Sequence, residues 1–200
     1  MFCRFLIALL FTVGPALADA ATVTDYIVGN GVGVYNPRTT TNVTVECWGA
    51  GQAANSGIGG GGAGAGYAKK NTLAVTAGTP VAFSIGAPGV TNGTNGGDSW
   101  FSSSSTVIAN GGGSATTRIG DVTNAGGAAG ALGASFSGGG AAGGPDGVGG
   151  AGGSAAVNAF GSGGGGSDGG SAGQASQVAA PGNGGTNFAG SGAGAAARIL

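Results

Sequence analysis

Histidine is absent from this 200-residue chain, and charge is scarce: six Lys+Arg stand against seven Asp+Glu, a formal net charge of -1. Without His there is no Ser-His-Asp or Cys-His nucleophile system and no His-ligated metal. So little positive charge excludes a broad phosphate-neutralising surface, hence nucleic acid as a partner. A charge fraction of 6% also excludes a solvated helical bundle, which is rich in Glu, Lys and Arg. Met occurs once, at the start, and Cys twice. Long apolar runs are missing beyond the first segment, so no membrane span is expected after it.

That first segment is itself informative. Arg4 precedes an apolar stretch from Phe5 to Val13, followed by Gly14-Pro15 and small residues. Ala18-Asp19-Ala20 fits an A-x-A cleavage site, so residues 1–20 read as a secretory signal peptide with Ala21 opening the mature protein. The apolar stretch is well short of the roughly 20 residues a spanning helix needs. The mature chain is therefore expected in a secreted location: extracellular, cell-surface or periplasmic. Cleavage removes Cys3 and leaves Cys47 alone, so no internal disulfide is expected. Cys47 alternates with Val43 and Val45 and is expected to be a small buried apolar residue.

Composition divides what remains at Val122. Residues 21–122 hold 24 large apolar residues in 102 positions, against 9 in 78 for residues 123–200, while Gly moves from 22 to 28. The first part, strand-rich, can build a small core; the second lacks the apolar surface to offset chain entropy alone. Strand patterns run through Thr22 to Val34, Val43 to Trp48, Leu73 to Thr76, Val81 to Ile85 and Thr106 to Ala109. The Leu73 and Val81 segments, separated by Ala77-Gly78-Thr79, read as a hairpin-like pair. Ala195 to Leu200 reads as a closing strand returning to the first part. No helix is expected, since each Gly costs a helix about 1 kcal/mol relative to Ala.

The glycines follow no single phase of three, which excludes collagen. Local phases do exist: Gly127, Gly130 and Gly133; Gly144, Gly147, Gly150 and Gly153; Gly163, Gly166 and Gly169. On a polyproline-II helix, with three residues per turn, each set makes one stripe. Such helices lack internal hydrogen bonds, so side-by-side packing must supply partners for any that are buried. Gly permits that close approach. The alternative is disorder, which Gly plus Pro at about 31% of the mature chain also fits.

An ordered series of motifs carries a resemblance. Val43 to Trp48 ends in Trp48-Gly49-Ala50-Gly51; Gly59 to Gly62 and Gly66-Tyr67-Ala68 follow; then come Leu73 to Gly86, Gly96-Gly97-Asp98-Ser99-Trp100-Phe101 and Ile108 to Gly113. This resembles the secreted and phage-associated glycine-rich domains of W-G-A-G-G type, over about residues 40–200. The resemblance implies an all-β fold, a small β-sandwich of jelly-roll or TNF-like kind carrying a polyglycine-II bundle, with few or no helices. It implies binding through loops and no catalysis. Gln52-Ala53-Ala54-Asn55-Ser56 interrupts the first Gly run, and the later runs are diluted with Ala and Ser.

Other matches are weak. Gly165 to Gly169 and Gly169 to Gly173 fit G-x-S-x-G, but a nucleophile elbow needs a His. Gly147, Gly149 and Gly152 match a dinucleotide fingerprint without a βαβ unit. Asp98, Asp121, Asp146 and Asp168 show no calcium-loop spacing. Lys69-Lys70 reads as a solvated strand end, and Trp48 and Trp100 as residues closing a core edge more readily than as sugar platforms. Asn42 and Asn92 head glycosylation sequons. No catalytic, cofactor-binding or metal-binding residue is assigned, and no cofactor. The expected function is a non-enzymatic surface or extracellular module, structural or adhesin-like. A cell-surface glycan or protein would be bound through loops at the bundle tip and around Asn92 to Trp100. Ice binding and a disordered matrix role are the alternatives.

Overall fold

A computed structural model describes residues 23–55, 59–131, 136–155, 162–164 and 195–199. The signal segment, Asp168, both G-x-S-x-G matches, and the glycine positions 133, 166 and 169 lie outside these. The described residues form nine strands and no helix: β1 (Asp25–Gly29), β2 (Gly31–Tyr35), β3 (Thr41–Trp48), β4 (Tyr67–Val75), β5 (Val81–Ile85), β6 (Ser99–Phe101), β7 (Val107–Ala109), β8 (Val122–Asn124) and β9 (Ala195–Ile199). They make two antiparallel sheets, ordered β1-β9-β3-β4-β8 and β2-β5-β6-β7. The sheets face each other as a small β-sandwich. Val43, Val45, Cys47, Ala68 and Ile199 from the first sheet meet Ile85, Phe101, Val107 and Ala109 from the second.

Two expectations are corrected by this topology. The apolar stretch from Thr22 is not one strand. Gly29 and Gly31, at φ 115° and 119°, bend it around Asn30, so that β1 joins one sheet and β2 the other. A side chain at either glycine would be strained in that conformation. Nor do the Leu73 and Val81 segments form a hairpin. β4 pairs with β3 and β8, whereas β5 pairs with β2 and β6. The turn between them instead crosses from sheet to sheet, held by Gly78 N–H to Pro37 C=O (3.1 Å) and Ala77 N–H to Thr40 Oγ1 (3.0 Å). The closing strand is where the sequence placed it: β9 lies between β1 and β3, and β1 joins its sheet through β9.

The glycine-rich segments form a lattice with a three-residue hydrogen-bond repeat. Segment 49–55 runs antiparallel to 59–66, with Gly49, Gln52 and Asn55 N–H donating to Gly66, Ala63 and Gly60 C=O at 3.1, 3.0 and 2.8 Å. Segment 136–144 runs parallel to 59–66: Ser137, Gly140 and Gly143 donate to Gly59, Gly62 and Ala65, each at 2.9 Å. Its next face donates from Gly138, Ala141 and Gly144 to Gly153, Gly150 and Gly147 of an antiparallel neighbour. Its carbonyls at Ala141 and Gly138 receive Gly127 and Gly130 N–H (2.7 and 2.9 Å). Segment 147–155 in turn donates from Gly149, Gly152 and Ala155 to Ala125, Ala128 and Ala131. A polyproline-II helix makes no internal hydrogen bonds, so these lateral bonds are what allow residues 137–144 to be buried.

Three details refine the glycine reading. Gly144 and Gly153 do not share one stripe, because Pro145-Asp146 turns the chain and Gly144 and Gly147 exchange both backbone bonds. The Gln52 interruption keeps the three-residue register instead of breaking it. Dilution with Ala and Ser is tolerated where a Cβ has room: Ala141 and Ala142 are fully buried, and Ser137 Oγ accepts from Gly61 N–H at 2.8 Å. Elsewhere the packing is backbone on backbone, and a Cβ at Gly64 would collide with the Ala141 carbonyl.

The Gly64→Ala variant is therefore expected to lose about 3 kcal/mol, the upper end of overpacking costs. Gly78→Ala has open space but a left-handed φ of 72°, and is expected to lose only about 1 kcal/mol. Denaturant melts of the two purified variants check the ranking; equal losses would contradict the lattice.

Candidate functional site: a neutral loop on the glycine lattice

Between Ile85 and Asp98 the chain carries no charged residue. It reads Gly86-Ala87-Pro88-Gly89-Val90-Thr91-Asn92-Gly93-Thr94-Asn95-Gly96-Gly97, a composition of turn formers and hydroxyl or amide side chains. The base of this loop is woven into the lattice. Ala50 and Ala53 N–H donate to Gly97 and Thr94 C=O at 3.0 Å each, and Gly89 and Gly93 N–H donate to Gly51 and Ala54 C=O at 3.1 Å each. Its apex is a tight turn. Thr94 N–H closes on Thr91 C=O (2.9 Å), and Thr94 Oγ1 accepts from Val90 and Thr91 N–H (3.0 and 3.2 Å). Asn92 and Gly93 both take positive φ, at 41° and 76°.

Gln52 clamps this apex to the glycine-rich segments. Its Nε2 donates to Gly93 C=O and to Asn95 Oδ1, both at 3.0 Å, while its Oε1 accepts from Ala63 N–H at 2.9 Å. Val90, Thr91, Asn92, Thr94 and Asn95 are exposed. The loop thus presents neutral hydrogen-bonding groups and one valine on a base with little freedom left, an arrangement suited to binding a polar, uncharged ligand surface. The lattice directions also place the described residues Asn55, Gly60, Ala131 and Ala155 at the loop's end of the bundle, since Asn55 pairs with Gly60, and Ala155 with Ala131.

The rest of the expected stretch, Asp98 to Trp100, is structural. Asp98 Oδ1 accepts from Gly111 N–H (2.8 Å), buried Ser99 Oγ accepts from Gly86 N–H (2.9 Å), and Trp100 sits half-buried on β6. Trp48 is buried, its ring 5.0 Å from that of Tyr67, and is not available for stacking on sugars. Lys69-Lys70 is not a free basic pair. Lys70 Nζ lies 2.7 Å from Asp121 Oδ1, and Lys69 Nζ lies 3.8 Å from Glu46 Oε1. Asp121 also fills a bulge in the β3–β4 pairing. There Asn71 N–H donates to Asp121 Oδ2 and Asn71 C=O accepts from Thr44 Oγ1, at 2.8 and 2.9 Å. The Lys70 bond, then the Asn71 N–H, hold the Asp121 carboxyl below its ordinary range.

The glycine fingerprint at 147–152 has its donors consumed within the lattice, with Gly149 and Gly152 N–H on Ala125 and Ala128. Asn42 and Asn92 are exposed. Among the described residues no group of His, Cys, Asp and Glu could hold a metal ion, and no helix is long and apolar enough to cross a membrane.

The alternation along β3 puts Glu46 and Trp48 on the face opposite Val43, Val45 and Cys47, the solvent side of a half-buried strand, yet both are buried. Tyr67 O–H donates to Glu46 Oε1 at 2.9 Å, which offsets part of the cost of burying the carboxylate. No spacing in the sequence signals this pair, because only the β3–β4 register brings Glu46 beside Lys69 and Trp48 beside Tyr67. The Gln52 clamp was equally hidden, since its partners are 11 to 43 residues away.

Comparison with protein-family models, with curated proteins and with solved structures gives no match.

Cys47 is fully buried, and burial, with the neighbouring Glu46 charge adding to it, pushes its thiol up to about 12. In the native protein Cys47 is expected to resist alkylation at mildly alkaline pH and to react completely in guanidinium chloride. Peptide mass mapping after iodoacetamide treatment reads both states, and rapid native labelling would contradict the burial.

Proposed function

We propose that this protein is a secreted, non-enzymatic glycine-rich module that binds a cell-surface glycan or protein, in the manner of an adhesin. The observation that carries this reading is the exposed loop 90–95, uncharged and clamped through Gln52 to a backbone lattice. A loop held in one conformation loses little freedom on binding, and neutral amide and hydroxyl groups match the hydroxyl-rich surface of a glycan. The signal-like residues 1–20 support delivery outside the cell. The absence of His from the whole sequence and the shortage of ionisable groups support a binding role over acid–base or nucleophilic chemistry. The motif series that begins with Trp48-Gly49-Ala50-Gly51 supports membership of the secreted and phage-associated glycine-rich domains.

The test is a glycan-array and whole-cell binding screen with the purified protein and a variant carrying Gly-Ser in place of residues 90–95. Binding by the natural sequence and its loss in the variant are expected. Binding that survives the replacement would remove the loop from the site.

Ice binding is favoured by a different observation. On the parallel segments 125–131 and 147–155, the exposed positions recur every third residue: Ala128 and Ala131 on one, Val148, Ala151 and Ser154 on the other. Three polyproline-II residues rise about 9.3 Å, so the two rows make a short, regular face of small side chains. If this face binds ice, the protein produces thermal hysteresis that Ala151→Lys abolishes. No hysteresis from the natural sequence would dispose of the reading.

A further inference from the structure

The second sheet is built inside out at its edge. β2 reads Gly-Val-Gly-Val-Tyr, and its valines face solvent, Val32 at 83% and Val34 at 59% exposure. The inward position between them is Gly33, against which the ring of Phe83 packs so closely that a Cβ there would overlap it. Before the Gly29–Gly31 corner, on the chain leading through β1 of the other sheet, Val23, Tyr26 and Val28 are also 55–67% exposed, so residues 23–34 supply five of the nine exposed large hydrophobic side chains among the described residues.

Edge strands are ordinarily blunted by charge, Pro or a bulge. β2 has none of these, and no residue in any of the four strands of its sheet is charged. Among the described residues β2 pairs with β5 alone, leaving its other edge open. The register also lines Val32 up with half-buried Ser84 and Trp100 across the outer face, so the uncharged surface extends from the edge over these two strands.

We propose that this edge is the interface of a two-fold dimer, in which β2 pairs antiparallel with β2 of a second copy of this chain. The sequence of β2 is close to self-complementary about Gly33. With Gly33 on the two-fold axis, Val32 of each copy stands opposite Val34 of the other, and the four-stranded sheet becomes eight-stranded. A two-fold interface requires this kind of self-match, which a neutral Val-Gly-Val segment provides without like-charge repulsion.

Sedimentation of the purified protein at tens of micromolar tests this, with a thermal melt of each variant to verify folding. The natural sequence is expected to run as a dimer. Val32→Lys with Val34→Lys sets like charges opposite each other across the axis, and is expected to weaken association at least tenfold. Val32→Lys with Val34→Glu sets opposite charges there, and is expected to remain dimeric. A monomeric natural protein overturns the proposal whatever the variants do. So does a dimer indifferent to the double lysine change, or one lost equally in both variants, since either removes the β2–β2 register.

Discussion

The described glycine-rich segments make no hydrogen bonds within themselves, and their arrangement follows from where their backbone groups find partners in neighbouring segments. Each segment must lie against others at a distance set by N–H···O=C contact, not by side chains. That distance is short enough that a Cβ at Gly64 would meet the Ala141 carbonyl. Glycine is therefore a steric requirement at close-approach positions such as Gly64, while Ser137 and Ala141 make the same lateral bond where a Cβ has room. The bond repeats at every third residue along each of these segments. Segment 136–144 shows the limit of the arrangement: it donates on two faces, accepts on a third, and is buried with scarcely any apolar side chain to bury.

The lattice is anchored on the sandwich, not beside it. Segments 49–55 and 59–66 are the direct continuations of β3 and β4, and they diverge from strand pairing into three-residue pairing without losing their antiparallel contact. Hydrogen bonds then cross position 122 repeatedly, as in Gly64 N–H to Gly127 C=O and Gly140 N–H to Gly62 C=O. The strand-rich part thus supplies a hydrophobic core and the first two lattice members, on which later segments assemble. The exposed loop at 90–95 inherits its fixed shape from this base. Its turn chemistry is local, but Gln52 and the bonds from Ala50 and Ala53 hold it in place.

Much of this was legible in the residues. The absence of helix among the described residues follows from the frequency of Gly, and the strands at Val43, Val81 and Val107 and the inward face of β3 follow from period-two alternation. Triplet phases and the lack of charge pointed to close backbone packing. Other features were not legible, for a common reason: they depend on which strand lies beside which. The Leu73–Ile85 segment looks like a hairpin because local pattern cannot distinguish a turn within a sheet from one between sheets. Glu46 looks solvent-facing because alternation reports one strand's faces and not what covers them.

By itself, then, the sequence determined composition-level physics: an all-β chain, no histidine-dependent chemistry, and glycine-rich segments able to pack only backbone to backbone. The tertiary structure decided which glycines pair, that Gln52 clamps the loop, that Cys47 and Glu46 are enclosed, and that β2 turns its valines outward. The division has a physical cause. Periodicity and steric size act within a few residues and are written in order along the chain. Hydrogen-bond partnership in a lattice, and burial on a second face, are set by neighbours tens of residues away, and exist only once the chain has closed on itself.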